Sequence, residues 1–280
     1  MPKFPERFVC GDGTALHVHC WRVAEPRWVC LCVQGLGGHG GYYAALFDDL
    51  ADTQPCVIAP DLRGHGHSQG TRGDIEDFNI YVADVKLLTE AVQKAYPKLP
   101  VVMLGESMGT TIVLHYLGQH QPPLQGSILM SPALKPTVMP RMQEVFTFLR
   151  HALFNRKQAV MGLRGREDLG ARDEAFNDQL RQDKLFIEKA SIRFLTKLNF
   201  FIMGARKQVI RQMPVLILVG EDDRVTDHRA TLALFENLDK SQRTLVEFPT
   251  AFHALLHDPV KPQVLMALKS WLSDKVLKYG

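Results

Sequence analysis

The sequence predicts an α/β fold, a mainly parallel, doubly wound sheet interrupted by an all-helical insert. Three observations predict it. Short apolar runs that read as buried strands alternate with stretches of helical periodicity. The alternation breaks once, from about Ala133 to Arg206, and then resumes. A serine between two glycines, Gly105-Glu106-Ser107-Met108-Gly109, stands where one of the strands gives way to a helix.

The elements follow in order. "RFVC" and "ALHVHCWR" flank Gly11-Asp12-Gly13 and read as a hairpin. "WVCLCVQ", Trp28 to Gln34, is apolar nearly throughout, as a strand covered on both faces should be. A glycine-rich loop, "GLGGHGG", leads into a helix from Tyr42 to about Thr53. "CVIAP" is a buried strand ending at Pro60, followed by the loop "DLRGHGHSQGTRG". Ile80, Val82, Val85, Leu88 and Val92 space a helix over Asp77–Tyr96, stopped by Pro97. Val101–Leu104 is a strand, Met108–His120 a helix, and "GSILM" a strand. After the break come a strand at Pro214–Gly220, a helix at Asp227–Leu238, the strand "TLVEF", and a helix at Val260–Leu277. The expected division is a core of residues 1–132 and 207–280 around a helical insert of residues 133–206, broken at Pro136, Pro140, Gly162, Gly165 and Gly170.

A chain of 280 residues has room for such a core and insert. Hydrophobic residues at 46% and charged residues at 22% are those of an ordinary globular protein, and a net charge of +3 is too small to argue for a nucleic-acid partner. The five cysteines, Cys10, Cys20, Cys30, Cys32 and Cys56, have no CxxC spacing and sit mostly in strand-like runs. They read as buried, reduced thiols, which fits a cytoplasmic setting. The N-terminus lacks a signal-peptide pattern, and no run reaches the ~18 apolar residues of a membrane span.

Gly105 to Gly109 matches GxSxG between a buried strand and a helix. The chain must turn sharply there and expose Ser107, and side chains at the glycine positions would collide with backbone. A serine hydroxyl needs a general base oriented by a carboxylate. Glu221, Asp222 and Asp223 follow the strand "PVLILVG", with Asp223 preferred over Asp222. His253 follows the last strand, with His257 as the fallback. The N–H groups of Leu36, in the loop after the third strand, and Met108, after the nucleophile, are expected to bind the oxyanion. The glycine-rich loop is neither a Walker A sequence nor a dinucleotide fingerprint. His39, His65 and His67 read as loop structure rather than as metal ligands.

Taken together, the strand–GxSxG–helix unit, "DLRGHGHS", "GEDDRV" and "FH" resemble α/β-hydrolases of the monoacylglycerol lipase and lysophospholipase group. The resemblance covers almost the whole chain and is weakest across the insert, which in that group is a cap over the active site. It implies an α/β-hydrolase fold and a Ser107–His253–Asp223 triad, with no cofactor and no metal. It also implies an ester or lipid substrate with a hydrophobic acyl chain. Two positions depart from the group: Gln34 stands where the oxyanion loop usually has histidine, and Glu106 stands beside the nucleophile. Glu106 is expected to raise the pKa of a neighbouring group.

Between Lys135 and Arg166 seven lysines and arginines face Glu144 alone, interleaved with Met139, Met142, Val145, Phe146, Phe148, Leu149, Leu153, Phe154 and Met161. Two readings stand: the apolar face only roofs the pocket, or the segment also touches an anionic lipid surface. Cleavage of another acyl bond, and a non-catalytic ligand receptor, are the competing functions, because fold alone does not choose among them. Oligomeric state is not legible.

Overall fold

The computed structural model describes residues 3–138, 143, 157, 159–163, 165–210 and 213–279. Eight strands form one sheet: β1 (Arg7–Val9), β2 (Ala15–Arg22), β3 (Trp28–Val33), β4 (Pro55–Pro60), β5 (Val101–Glu106), β6 (Gly126–Met130), β9 (Val215–Gly220) and β10 (Arg243–Phe248). Their order is β1-β2-β4-β3-β5-β6-β9-β10. β1 and β2 pair antiparallel as the expected hairpin, and β2 runs antiparallel to β4. The remaining pairs are parallel.

β3, β4, β6 and β9 are buried at every residue, because helices cover both faces. Alternation along β3 divides its side chains between two cores. Val29, Leu31 and Val33 join one with Val82, Val85 and Leu88 of α2 (Asn79–Ala95) and Ile112 of α3 (Met108–His120). Trp28, Cys30 and Cys32 join the other. There they meet Leu46 of α1 (Ala44–Asp49) and Leu268 and Leu272 of the last α-helix (Lys261–Lys275). All five cysteines are buried and unbridged. The helix expected over Tyr42–Thr53 is broken into a 3-10 turn at Gly40–Tyr43, α1, and a second 3-10 turn at Ala51–Thr53. The left-handed Gln54 (φ 57°) then redirects the chain into β4.

Between β6 and β9 the chain leaves the sheet, as expected, but this excursion is not all-helical. β7 (Ala159–Gly162) and β8 (Lys189–Ser191) pair antiparallel into a small ribbon, and Leu163 N–H extends it by donating to Glu188 O at 2.8 Å. Strands of three and four residues carry almost no periodicity, and the partners are far apart in sequence, so tertiary pairing rather than local preference makes them. The helices of the excursion include α4 (Glu167–Gly170), α5 (Glu174–Gln182) and α6 (Ile192–Ala205). Of the residues singled out between Lys135 and Arg166, Met139, Pro140, Arg141, Met142, Glu144, Val145, Phe146, Phe148, Leu149, Arg150, Leu153, Phe154, Arg156 and Arg164 lie outside the described residues. The side chain of Met161 does too.

One buried carboxylate staples the ribbon to the core. Asp74 accepts from Ser191 Oγ at 2.5 Å and from Arg193 Nε at 3.1 Å, with Arg193 Nη2 on its other oxygen. Next to it, Ser191 N–H donates to Gly73 O at 2.8 Å. Asp74→Ala is therefore expected to cost about 1–3 kcal/mol of stability. Amide exchange should accelerate at Lys189–Ser191 and stay unchanged in Val215–Gly220, as read by hydrogen-exchange mass spectrometry.

Candidate active site

The turn from β5 into α3 puts Ser107 at φ 52°, ψ −119°, a conformation that costs a non-glycine residue about 1–3 kcal/mol. Close packing holds it there. A Cβ at Gly105 would sit 2.9 Å from Thr110 Cα, and one at Gly109 would overlap Val33 O. Gly35 fits for the same reason, since a Cβ there would come within 3.0 Å of Ser107 Cβ. Ser107 N–H donates to Met130 O at 3.0 Å, tying the turn to the end of β6.

The structure brings the three sequence-predicted residues together. His253 Nε2 lies 2.7 Å from Ser107 Oγ, and His253 Nδ1 lies 2.6 Å from Asp223 Oδ2. The other oxygen of Asp223 accepts the N–H groups of Val225 (2.8 Å) and Thr226 (3.0 Å), so the carboxylate is fixed and its side chain fully buried. Asp222 is exposed at the surface. His257 is stacked flat on Phe176, with ring centroids 3.6 Å apart. Burial, then Lys261, hold His257 at a pKa of about 4, so it is a neutral packing group.

Electrostatics set the state of His253. Burial disfavours its charged form, but the charge and hydrogen bond of Asp223, joined by the charge of Glu106, outweigh this and raise its pKa. Glu106 is itself pushed up by burial, against the hydrogen bond that Tyr43 Oη donates to it at 2.9 Å. The expected influence of Glu106 on a neighbour is thus present, and Tyr43 and His253 both feel it.

Leu36 and Met108 line the same cavity as Ser107 and His253, where the oxyanion donors were expected. The cavity has a volume of about 690 Å³ and lies between the sheet and the excursion. Its described walls are chiefly apolar, with Phe176, Phe186, Leu195, Leu198 and Ile202 prominent. Sequence reasoning missed these. They sit in the excursion, where composition announces apolar helices but not which face turns toward Ser107. Gln34 is buried in the wall and donates from Nε2 to Gly38 O at 2.5 Å, which braces the loop that carries Leu36.

The excursion is docked on that loop. Asp183 accepts from His39 Nε2 at 3.0 Å, from Tyr42 Oη, and from Leu185 N–H at 2.7 Å. Ile187 N–H donates to Gly37 O at 2.9 Å, and the Phe186 ring packs so closely on Gly37 that a Cβ there would meet it at 2.8 Å. On the opposite side Arg172 grips Asp258 with two hydrogen bonds (2.9 and 2.6 Å), and Ala254 N–H donates to Gly170 O at 2.7 Å, bracing the segment of His253. His39 thus belongs to the docking contact. His65 is buried against Arg63 O at 2.9 Å, and His67 N–H donates to Asp61 at 2.8 Å.

The Hydrolase_4 family model, described as "Serine aminopeptidase, S33", matches residues 24–260. The chain belongs to that family. It is 29% identical to the monoglyceride lipase of Mus musculus, over 97% of this chain and 91% of that protein. It is 23% identical to phospholipase YtpA of Bacillus subtilis, over 91% of this chain and 99% of that one. A monoglyceride lipase of Saccharomyces cerevisiae, solved with a substrate analogue, superimposes with a TM-score of 0.82 at 20% identity, over 99% of this chain and 97% of that one. The monoacylglycerol lipase of Paleococcus ferrophilus gives 0.78 at 24% identity, over 93% and 99%. These two likenesses speak for the α/β-hydrolase fold.

With His253 as the base, its raised pKa means that the proton is lost at higher pH, so the acidic limb of kcat/KM is expected above the ordinary histidine value. Glu106→Gln removes one of the charges that raise it and should move that limb to lower pH. An unmoved limb in the pH profile would mean that Glu106 is protonated where the enzyme works.

Proposed function

We propose that the chain is a serine hydrolase of carboxylic esters with a hydrocarbon acyl chain, of the monoacylglycerol or lysophospholipid type. The observation that carries this is the line Asp223–His253–Ser107, with bonds of 2.6 and 2.7 Å, opening on an apolar cavity of about 690 Å³. The names of the relatives, monoglyceride lipase and phospholipase, agree with it.

In the proposed mechanism Ser107 Oγ attacks the ester carbonyl while His253 Nε2 takes its proton. Asp223 holds the imidazole with its Nδ1 proton toward the carboxylate and stabilises the imidazolium that forms. The N–H groups of Leu36 and Met108 hold the oxyanion. His253 then protonates the departing alcohol, and water, activated by the same imidazole, releases the acid. We take residues 133–206 as a cap over the residues 1–132 and 207–280 core. The apolar walls contributed by Phe186, Leu195, Leu198 and Ile202 would hold the acyl chain. The family's description names a peptidase, and two carboxylates, Glu106 and Glu167, do line the cavity. Glu106 accepts from Tyr43 Oη and Glu167 from Gly165 N–H, and the chiefly apolar walls around them, with the lipase names of the relatives, favour the ester over an amine-bearing substrate.

The first test is intact-mass labelling with a long-chain fluorophosphonate, with p-nitrophenyl esters of increasing acyl length and an aminoacyl p-nitroanilide as competing substrates. One adduct on the wild type and none on Ser107→Ala is expected, with ester turnover far above anilide turnover. Asp223→Asn should lower kcat by about 10³–10⁴-fold, whereas Asp222→Asn should leave it within a few-fold. Failure of the wild type to label would favour a non-catalytic receptor.

Contact with an anionic lipid surface is part of the proposal. Lys197, Phe200, Met203 and Lys207 are exposed at the three- and four-residue spacing of one helix face, on α6 and just beyond it. Phe200 and Met203 are 65% and 51% exposed. Asn199, from the same helix, lines the cavity, which supports reading this surface as the approach for a lipid. Among the described residues no helix is long and apolar enough to cross a membrane. The five unbridged cysteines fit a reducing compartment such as the cytoplasm. Sedimentation with phosphatidylserine vesicles at low salt should carry the wild type down. Phe200→Ser combined with Met203→Ser should leave most of the protein in the supernatant, with hydrolysis of a short soluble ester unchanged.

A further inference from the structure

β2 carries His17-Val18-His19, and strand alternation turns the two imidazoles to one face. Asp61 follows β4, the antiparallel neighbour of β2, with its N–H on His17 O at 2.8 Å. One ring nitrogen from each histidine and one oxygen of Asp61 lie within 4.8 Å of one another. The His17 ring stands edge-on to that of His19 at 4.5 Å and to that of His67 at 5.2 Å. Ester hydrolysis as described has no use for this cluster.

We infer that His17, His19 and Asp61 form a binding site for a divalent transition cation of the zinc class, separate from the catalytic serine. Two imidazoles and a carboxylate are a donor set that zinc accepts, with water completing the sphere, whereas magnesium and calcium favour oxygen ligands. Ligand atoms at ~2.0–2.2 Å from a tetrahedral ion stand roughly 3.3 Å from one another. His19 Nε2 and Asp61 Oδ1 are already 3.1 Å apart. The remaining gap is closed by a side-chain shift of about 1 Å or so, available to His17 and His19 because both are partly exposed to solvent.

Asp61 is the fixed member. It is fully buried, and Gly40 N–H (2.7 Å) and His67 N–H (2.8 Å) orient its two oxygens. A carboxylate has lone pairs to spare beyond these bonds. The cation takes the place now held by the proton between His19 Nε2 and Asp61 Oδ1. That proton leaves Nε2 and one is taken up at Nδ1 from solvent, so the tautomer changes and no net proton is released. Gly40 begins the turn after the Leu36 loop, so the site shares its carboxylate with that region.

The test is isothermal titration of zinc chloride into the chelator-treated full-length chain, with magnesium chloride as control, for the wild type, His17→Phe and His19→Gln. One equivalent of zinc with micromolar affinity is expected, along with no saturable binding of magnesium. Each substitution should weaken zinc at least tenfold and cancel the rise in Tm that zinc confers. Absence of saturable zinc binding to the wild type overturns the site. So does binding of equal affinity and stoichiometry in the wild type and His17→Phe, which would place the metal on other histidines or cysteines. Fluorophosphonate labelling of Ser107 in His17→Phe reports that the variant is folded, and the zinc result stands whatever substrate the serine acts on.

Discussion

The close approach of three backbone segments around Ser107 is the constraint on which the rest depends. β5 must end, α3 must begin, and the loop after β3 must pass within contact distance, all at one point. Glycine at 35, 105 and 109 allows this, since a side chain at any of the three would strike Ser107, Thr110 or Val33. The positive φ of Ser107 is held by the sheet on one side and the helix on the other. Burial of β3, β5 and β6 stabilises the sheet that absorbs the strain.

Around that point the protein buries charge in a graded way. Asp223 is fully buried and is fixed by two backbone N–H groups as well as by His253. Glu106 has Tyr43 as its hydrogen-bond partner, and burial raises its pKa. Both carboxylates favour the charged form of the same imidazole, and their joint effect outweighs its desolvation. The His253 imidazole is thus tuned by residues from β5, the loop after β9, and the turn before α1.

The excursion between β6 and β9 is held by polar contacts at several separate places. Asp74 holds the ribbon, Asp183 meets His39 and Tyr42 beside the Leu36 loop, and Arg172 holds Asp258 beside His253. Two of these contacts touch the segments that carry Leu36 and His253. Hydrogen bonds with fixed geometry give the excursion one seating, while its apolar side chains supply the cavity wall.

The sequence by itself determined the elements whose signals are local. Alternating apolar runs and helical periodicity marked the sheet strands and the helices around them, and glycine spacing marked the turn at Ser107. Chain order marked the acid and the histidine, because each must follow a strand whose end faces the same way. Tertiary structure decided what depends on partners distant in sequence. It separated Asp223 from Asp222, which differ in burial and bonding and not in composition. It made β7 and β8 from segments too short to show a period. It selected Phe186, Leu195 and Ile202 as cavity wall, and it joined Asp183 to His39 across 144 residues. It also set His17 and His19 beside Asp61, across two antiparallel strands. Local spacing encodes which way a side chain points along its own element, and only packing encodes what it meets there.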